Sequence, residues 1–294
     1  MSQTAAISLQ GVLPRQRPAS RSASPLETLL AWSTAVVAGL LLVGAMLFVT
    51  GGGRWFVVET PSMGEAAPVG TLVVDRPVRV ETLRVGDIVS FETAANPGTT
   101  YTHRIVSIDA DGGIHTRGDV NGATDPWTLG QAEIIGTPVA LVPHVGWLLR
   151  AAPILLIGTL IVWILTSPFT DRVTRASLRI AGGALTASYA AFVLKPFVNV
   201  ATIENTSGAH SVTATVISSG IFPVRVSGHG SDSVHLVDGE VGRVTIHQLT
   251  ANGHYQLAAN IDLDPAGWAL LLAVCVVPLV LCLWVGRVPT VRAA

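Results

Sequence analysis

The apolar residues of this chain are concentrated in four stretches without a charged side chain, and no other feature constrains its fold as much. They cover 29–50 (22 residues), 151–169 (19 residues), 180–194 (15 residues) and 266–286 (21 residues). About 20 consecutive apolar residues make a helix that reaches across the hydrocarbon core of a bilayer. The third run is short and rich in Gly and Ala, so it needs the stretch to 198, with Lys195 near its end snorkelling to the interface. The expected spans are therefore about four transmembrane helices, at 29–50, 148–169, 180–198 and 265–286. The first run exceeds the roughly 7–15 apolar residues of a signal-peptide core. Gly51-Gly52-Gly53 then leads straight into Arg54-Trp55-Phe56, with no clear small-residue cleavage site. It reads as an uncleaved anchor.

Composition agrees with this and excludes alternatives. Charged residues make up 13% of the chain, half of the about 25% usual in soluble proteins. That argues against a fully soluble globular chain and against a disordered one. A formal net charge of −1 leaves no basic excess to neutralise phosphates, so no nucleic-acid partner is expected. Both cysteines, Cys275 and Cys282, fall in the last apolar run, so no disulfide staples the rest of the chain. The apolar runs of spans one, two and four contain no charge that would mark an ion path, which disfavours a transporter.

Charge in the short segments sets an expected orientation. Residues 1–28, read as a disordered tail, carry Arg15, Arg17 and Arg21 against Glu27. The loop 170–179 carries Arg172, Arg175 and Arg179 against Asp171, and the tail 287–294 carries Arg287 and Arg292. These sum to +6, whereas 51–147 and 199–264 together sum to −9. The asymmetry puts both termini and the 170–179 loop in the cytoplasm and both long segments outside, in a multi-pass protein of the cell membrane.

The two long segments read as β. In 51–147, strands are expected at 70–75, 87–91, 101–108 and 134–140, rich in β-branched residues and separated by Gly, Pro, Asn and Asp. In 199–264, short strands at 211–217, 224–226, 234–237, 241–246 and 255–259 suggest a small β-sandwich. Its scattered single histidines form no pattern. A partner-binding or substrate-presenting role, through contact with substrate or secretion machinery, stands beside a spacer role. The fold class is thus α+β: a membrane protein with an extracytoplasmic, mostly β domain and a second small β domain.

Four boxes in the first β segment are bland singly and informative in order. Thr60-Pro61-Ser62-Met63 lies about a dozen residues beyond the first span. Gly86-Asp87-Ile88-Val89-Ser90-Phe91, His103-Arg104-Ile105 and Gly118-Asp119-Val120-Asn121-Gly122-Ala123-Thr124-Asp125 follow. Alone, these are a turn serine, a turn into a strand, a strand histidine and an acidic loop. Together, over about residues 30–165, they resemble type I signal peptidases. The resemblance is to the ER-like, serine–histidine branch that also occurs in archaea and Gram-positive bacteria. Two flanks depart from the family: Thr60-Pro61 and Gly64-Glu65 replace its usual Ser-Gly and Glu-Pro, and Gly70-Thr71 stands where Gly-Asp is common.

The resemblance implies a membrane-bound serine endopeptidase acting on signal-peptide-bearing preproteins at the outer surface of the lipid bilayer. Ser62 is then the nucleophile. The classical bacterial branch uses a lysine base, but the only lysine is Lys195, outside 51–147. That leaves histidine. His103 matches the family's base, while His115, in a hairpin, and His144, at the membrane re-entry, are the rivals. A neutral imidazole needs an acceptor on its second nitrogen to fix its tautomer. Asp125 matches the triad aspartate and Asp119 a second carboxylate that braces the loop, though either is a candidate partner for the histidine. Thr60, two positions before the nucleophile, is the candidate second oxyanion donor beside the Ser62 N–H, because Pro61 has none. No cofactor and no metal are called for: the acidic loop lacks calcium-site spacing. Trp55-Phe56-Val57-Val58 reads equally as an interfacial patch or a first strand. The competing functional reading is a catalytically silent, membrane-anchored binding or adhesion domain.

Overall fold

The computed structural model describes residues 25–208, 211–247 and 255–287. The tail expected to be disordered over 1–28 and the tail at 287–294 lie outside the described residues, except for 25–28 and Arg287, which are helical. His210 and His254 also lie outside them. Helix α1 (Pro25–Thr50) begins four residues ahead of its charge-free run. A proline with no N–H to satisfy suits its first turn. α1 forms one compact unit, and the chain from Gly52 onward forms the other.

The first β segment is a six-stranded, wholly antiparallel sheet. Its strands are β1 (Arg54–Val57), β2 (Leu72–Arg76), β3 (Ile88–Thr93), β4 (Asn96–Ile108), β5 (Ile114–Arg117) and β6 (Ile134–Val142). Their order is β1-β2-β6-β3-β4-β5. Alternation along β3 and β4 sends Val89, Phe91 and Ile105 inward, where they meet Leu83, Ile114 and Leu129. Phe91 is fully buried, stacks on Tyr101 and meets Trp127 edge-on. Removing its ring would cost about 3–5 kcal/mol. Strand β1 takes the first-strand reading of 55–58, and β5 adds to the four expected. Both are four residues long, too short for a period to stand out.

Three helices among the described residues are long and apolar enough to cross a membrane: α2 (Val145–Thr166), α3 (Arg172–Leu194) and α4 (Pro265–Arg287). This is consistent with a membrane protein. Their large apolar side chains point outward, as lipid-facing ones do. The third span differs from expectation at both ends. The segment 170–179 is not a loop, because Asp171 caps α3 by accepting from the Thr174 N–H at 2.7 Å. Arg172, Arg175 and Arg179 therefore lie on its first turns. At the other end α3 stops at Leu194: Lys195 turns left-handed and Pro196 cannot continue the helix. Gly158 of α2 sits against Thr186 of α3, and Gly182 of α3 against Val162 of α2, too close for a Cβ. Small residues let membrane helices approach in this way.

Among its described residues, the second β segment contains six strands: β7 (Val200–Ser207), β8 (Val212–Ser218), β9 (Val224–Gly228), β10 (Val234–Leu236), β11 (Val241–Ile246) and β12 (Leu257–Ile261). They form two three-stranded sheets, β11-β8-β7 and β10-β9-β12. Ala214, Val216, Val244 and Ile246 of the first share one core with Val224, Val226 and Leu236 of the second. β7 was not among the expected strands because its second half, Glu204-Asn205-Thr206-Ser207, is polar and exposed.

Candidate active site

Ser62 lies in a 3₁₀ turn, Pro61–Ala66, entered through Thr60 in an extended conformation. Proline at the head presets the backbone of the turn, and the next residue is the serine. His103 sits in the middle of β4, opposite Val89 of β3, and its ring packs edge-on to Phe91 at 6.1 Å. A strand paired on a buried core is a rigid mount for such a ring. His103 Nε2 lies 3.0 Å from Ser62 Oγ. On the far side of the ring, Nδ1 lies 2.7 Å from Asp125 Oδ2. An ionised carboxylate only accepts, so Nδ1 carries the proton and Nε2 is left to accept from the serine hydroxyl. The His103 and Asp125 side chains are 7% and 8% exposed.

Asp125 is held from two directions. Its N–H donates to the Thr116 carbonyl at 2.9 Å, and the buried Thr116 hydroxyl donates to Oδ2 at 2.7 Å. Asp119 does not share this duty. Arg104, the next residue after His103, donates to both of its oxygens at 2.8 and 2.6 Å and to the Gly86 carbonyl at 2.9 Å. That fork ties the 118–125 loop to β4 and to the turn before β3. The loop also grips the turn that bears Ser62, since the Val120 N–H donates to the Ser62 carbonyl at 3.0 Å. Thr60 Oγ1 lies 3.4 Å from Ser62 Oγ, on the approach to the serine.

The rival histidines lie elsewhere. His115 Nε2 meets Asp109 Oδ2 at 2.8 Å across the β4–β5 hairpin. His144 precedes the first turn of α2 in a left-handed conformation and makes no side-chain cap to it, lying 3.5 Å from Asp238 Oδ2. No cluster of His, Cys, Asp or Glu able to hold a metal occurs among the described residues.

A cleft of about 530 Å³ opens on the serine, walled by residues 56–60 on one side and 98–103 on the other. β1 is the edge strand of the sheet. β4 is paired with β3 along this stretch, and its register with β5 begins only at Arg104. Both walls thus present strand edges. Arg150, from the first turns of α2, closes one end through an ion pair with Glu59 at 3.3 Å. Sequence reasoning did not single out Thr116, or Arg104 as the partner of Asp119. Arg104 sits inside a motif box, but Thr116 is one of many strand threonines and only its cross-loop partner distinguishes it. Compared with known proteins, the chain matches no family model and no curated protein.

Proposed function

We propose that this protein is a membrane-bound serine endopeptidase that removes signal peptides from secreted preproteins. The observation that carries the reading is the unbroken relay Ser62–His103–Asp125, at 3.0 and 2.7 Å, opening on a cleft with two strand edges. His103 takes the Ser62 proton as Oγ attacks the scissile carbonyl, and later gives it to the leaving amine. Asp125 holds the ring and offsets its transient positive charge. The Ser62 N–H and the Thr60 hydroxyl serve the oxyanion. An extended peptide lying between 56–60 and 98–103 would complete the strand pattern, as peptides do on exposed sheet edges.

The bilayer enters through the anchors. Four spans, α1 to α4, put the serine a dozen residues beyond a membrane helix, near where a signal peptide leaves the lipid. α2 leads away from the first β segment and α3 returns to the second, with Arg172, Arg175 and Arg179 at the distal turn. α4 ends on Arg287. These positive charges mark the cytoplasmic end and set both β segments outside the cell membrane. The test is cleavage of a preprotein by the detergent-solubilised chain. A mature product that vanishes with Ser62→Ala supports the reading. Its absence from the wild-type protein leaves the silent binding domain as the better account.

A further inference from the structure

The nucleophile turn is held from a second direction, by the segment to which sequence gave no chemistry. The turn between β10 and β11 reaches over to it. Gly239 at its tip has φ +81, and a Cβ built there would lie 2.8 Å from the Glu65 Cα and N and from the Gly64 carbonyl carbon. This is backbone against backbone, and it allows no side chain. Gly64, buried two residues after Ser62, has φ 53 and ψ −133, a conformation that side chains disfavour. Its own Cβ position is 2.8 Å from Val120 Cγ1 and 3.3 Å from the Gly239 carbonyl oxygen. The stretch after the serine is therefore gripped between the 118–125 loop, which also holds Asp125, and the tip of the second β domain.

The tip itself is stiff. Gly239 N–H donates to the Ser218 carbonyl at 2.9 Å, and Ser218 N–H donates to the Glu240 carbonyl at 3.0 Å. The Glu240 side chain accepts from the Val237 N–H at 2.9 Å, and Glu240 N–H closes on the Val237 carbonyl at 3.0 Å. A turn bonded this fully to its own sheet transmits the sheet's position to whatever it touches.

We propose that the second β domain is a positioning element acting within the chain, and that Gly239 is its contact residue. It seats Gly64–Glu65 so that Ser62 Oγ stays in line with His103 Nε2. The inference rests on the peptidase reading. It predicts that disturbing the tip lowers the chemical step and leaves substrate binding alone, because the tip lies outside the two cleft walls. In the full chain in detergent, Gly239→Ala should lower kcat about 10–100-fold with KM within about twofold. Gly112→Ala controls for backbone strain: Gly112 has φ +90 but nothing within 4 Å of its Cβ position. That variant should cleave within about twofold of wild type. Glu240→Ala loosens the tip without adding an atom at the contact, so it decides the matter should Gly239→Ala fail to fold. It should lower kcat about 3–10-fold. Folding of each variant is read from its thermal unfolding. Wild-type cleavage with near-native kcat in folded Gly239→Ala, or in Glu240→Ala where the glycine variant is unfolded, overturns the positioning role alone. No Ser62-dependent product from the wild-type chain overturns the peptidase reading, and the positioning role with it.

Discussion

Replacing Asp125 by asparagine tests the relay most directly. The change keeps shape and a carbonyl oxygen for the Thr116 hydroxyl, and removes the negative charge. Asp125 Oδ2 and His103 Nδ1 lie 2.7 Å apart in side chains only 8% and 7% exposed. When Ser62 attacks, the ring becomes an imidazolium. A carboxylate about 4 Å from that charge centre, at an effective dielectric constant of about 20, stabilises it by about 4 kcal/mol. That corresponds to roughly 10³-fold in rate. Asp125→Asn should therefore lower kcat about 10³-fold with KM little changed. The assay is single-turnover cleavage of one preprotein by the purified full chain, with thermal unfolding measured in parallel. Asp119→Asn is the comparison. It weakens the fork on Arg104 and should mainly lower the melting temperature. Retention of more than a tenth of wild-type kcat in Asp125→Asn, or a larger rate loss in Asp119→Asn, refutes the assignment.

Other outcomes follow from the same geometry. His103→Ala should lower the rate about 10³-fold or more, whereas His115→Ala, on the hairpin with Asp109, should leave single-turnover cleavage near wild type. Thr60→Val should lower kcat roughly 10²–10³-fold while Thr60→Ser keeps most of it; equal rates for the two variants would mean that Thr60 only shapes the turn. Asp75 is 1% exposed, its oxygens accept no hydrogen bond, and burial pushes its carboxyl up to about 6. The neighbouring Ser90 hydroxyl pulls the other way, but Thr102 Oγ1 engages it at 3.1 Å. A raised carboxyl favours the fold while protonated, and that contribution is lost as pH climbs through about 6. Asp75→Asn should therefore raise the melting temperature by a few degrees at pH 7.5, with the gain shrinking toward pH 4. Cysteines placed at the exposed positions Ala95 and Ser233 should react with an impermeant thiol reagent from outside intact cells, and one at Thr170 should not. Protection at Ser233 with labelling at Ala95 would refute the arrangement of the last two spans.

Much of this protein is written locally. A bilayer imposes a length and a charge rule on its helices, so uncharged runs announce themselves without tertiary knowledge. Helix α4 begins at the expected residue, and the boundaries that moved did so for local reasons, such as the Asp171 cap and the block at Pro196. Four of the six strands in the first β segment and five of the six described in the second were read in place, most of them from their β-branched residues. Those that escaped, β5 and β7, and β1, which read equally as an interfacial patch, are short or half polar and owe their form to a neighbour. Sequence order also narrowed the base to a histidine, because the one lysine stands outside the segment. Which carboxylate faces that histidine was favoured only by the resemblance, which pointed to Asp125: Asp119 and Asp125 share one loop, and it is the fold that turns the first to Arg104 and the second to His103 Nδ1. The contact of Gly239 with Gly64 and Glu65 lies further still beyond sequence. It joins residues far apart along the chain by fit of backbone against backbone. A glycine in a turn looks the same whether its missing side chain leaves room for solvent or for the turn that bears the serine.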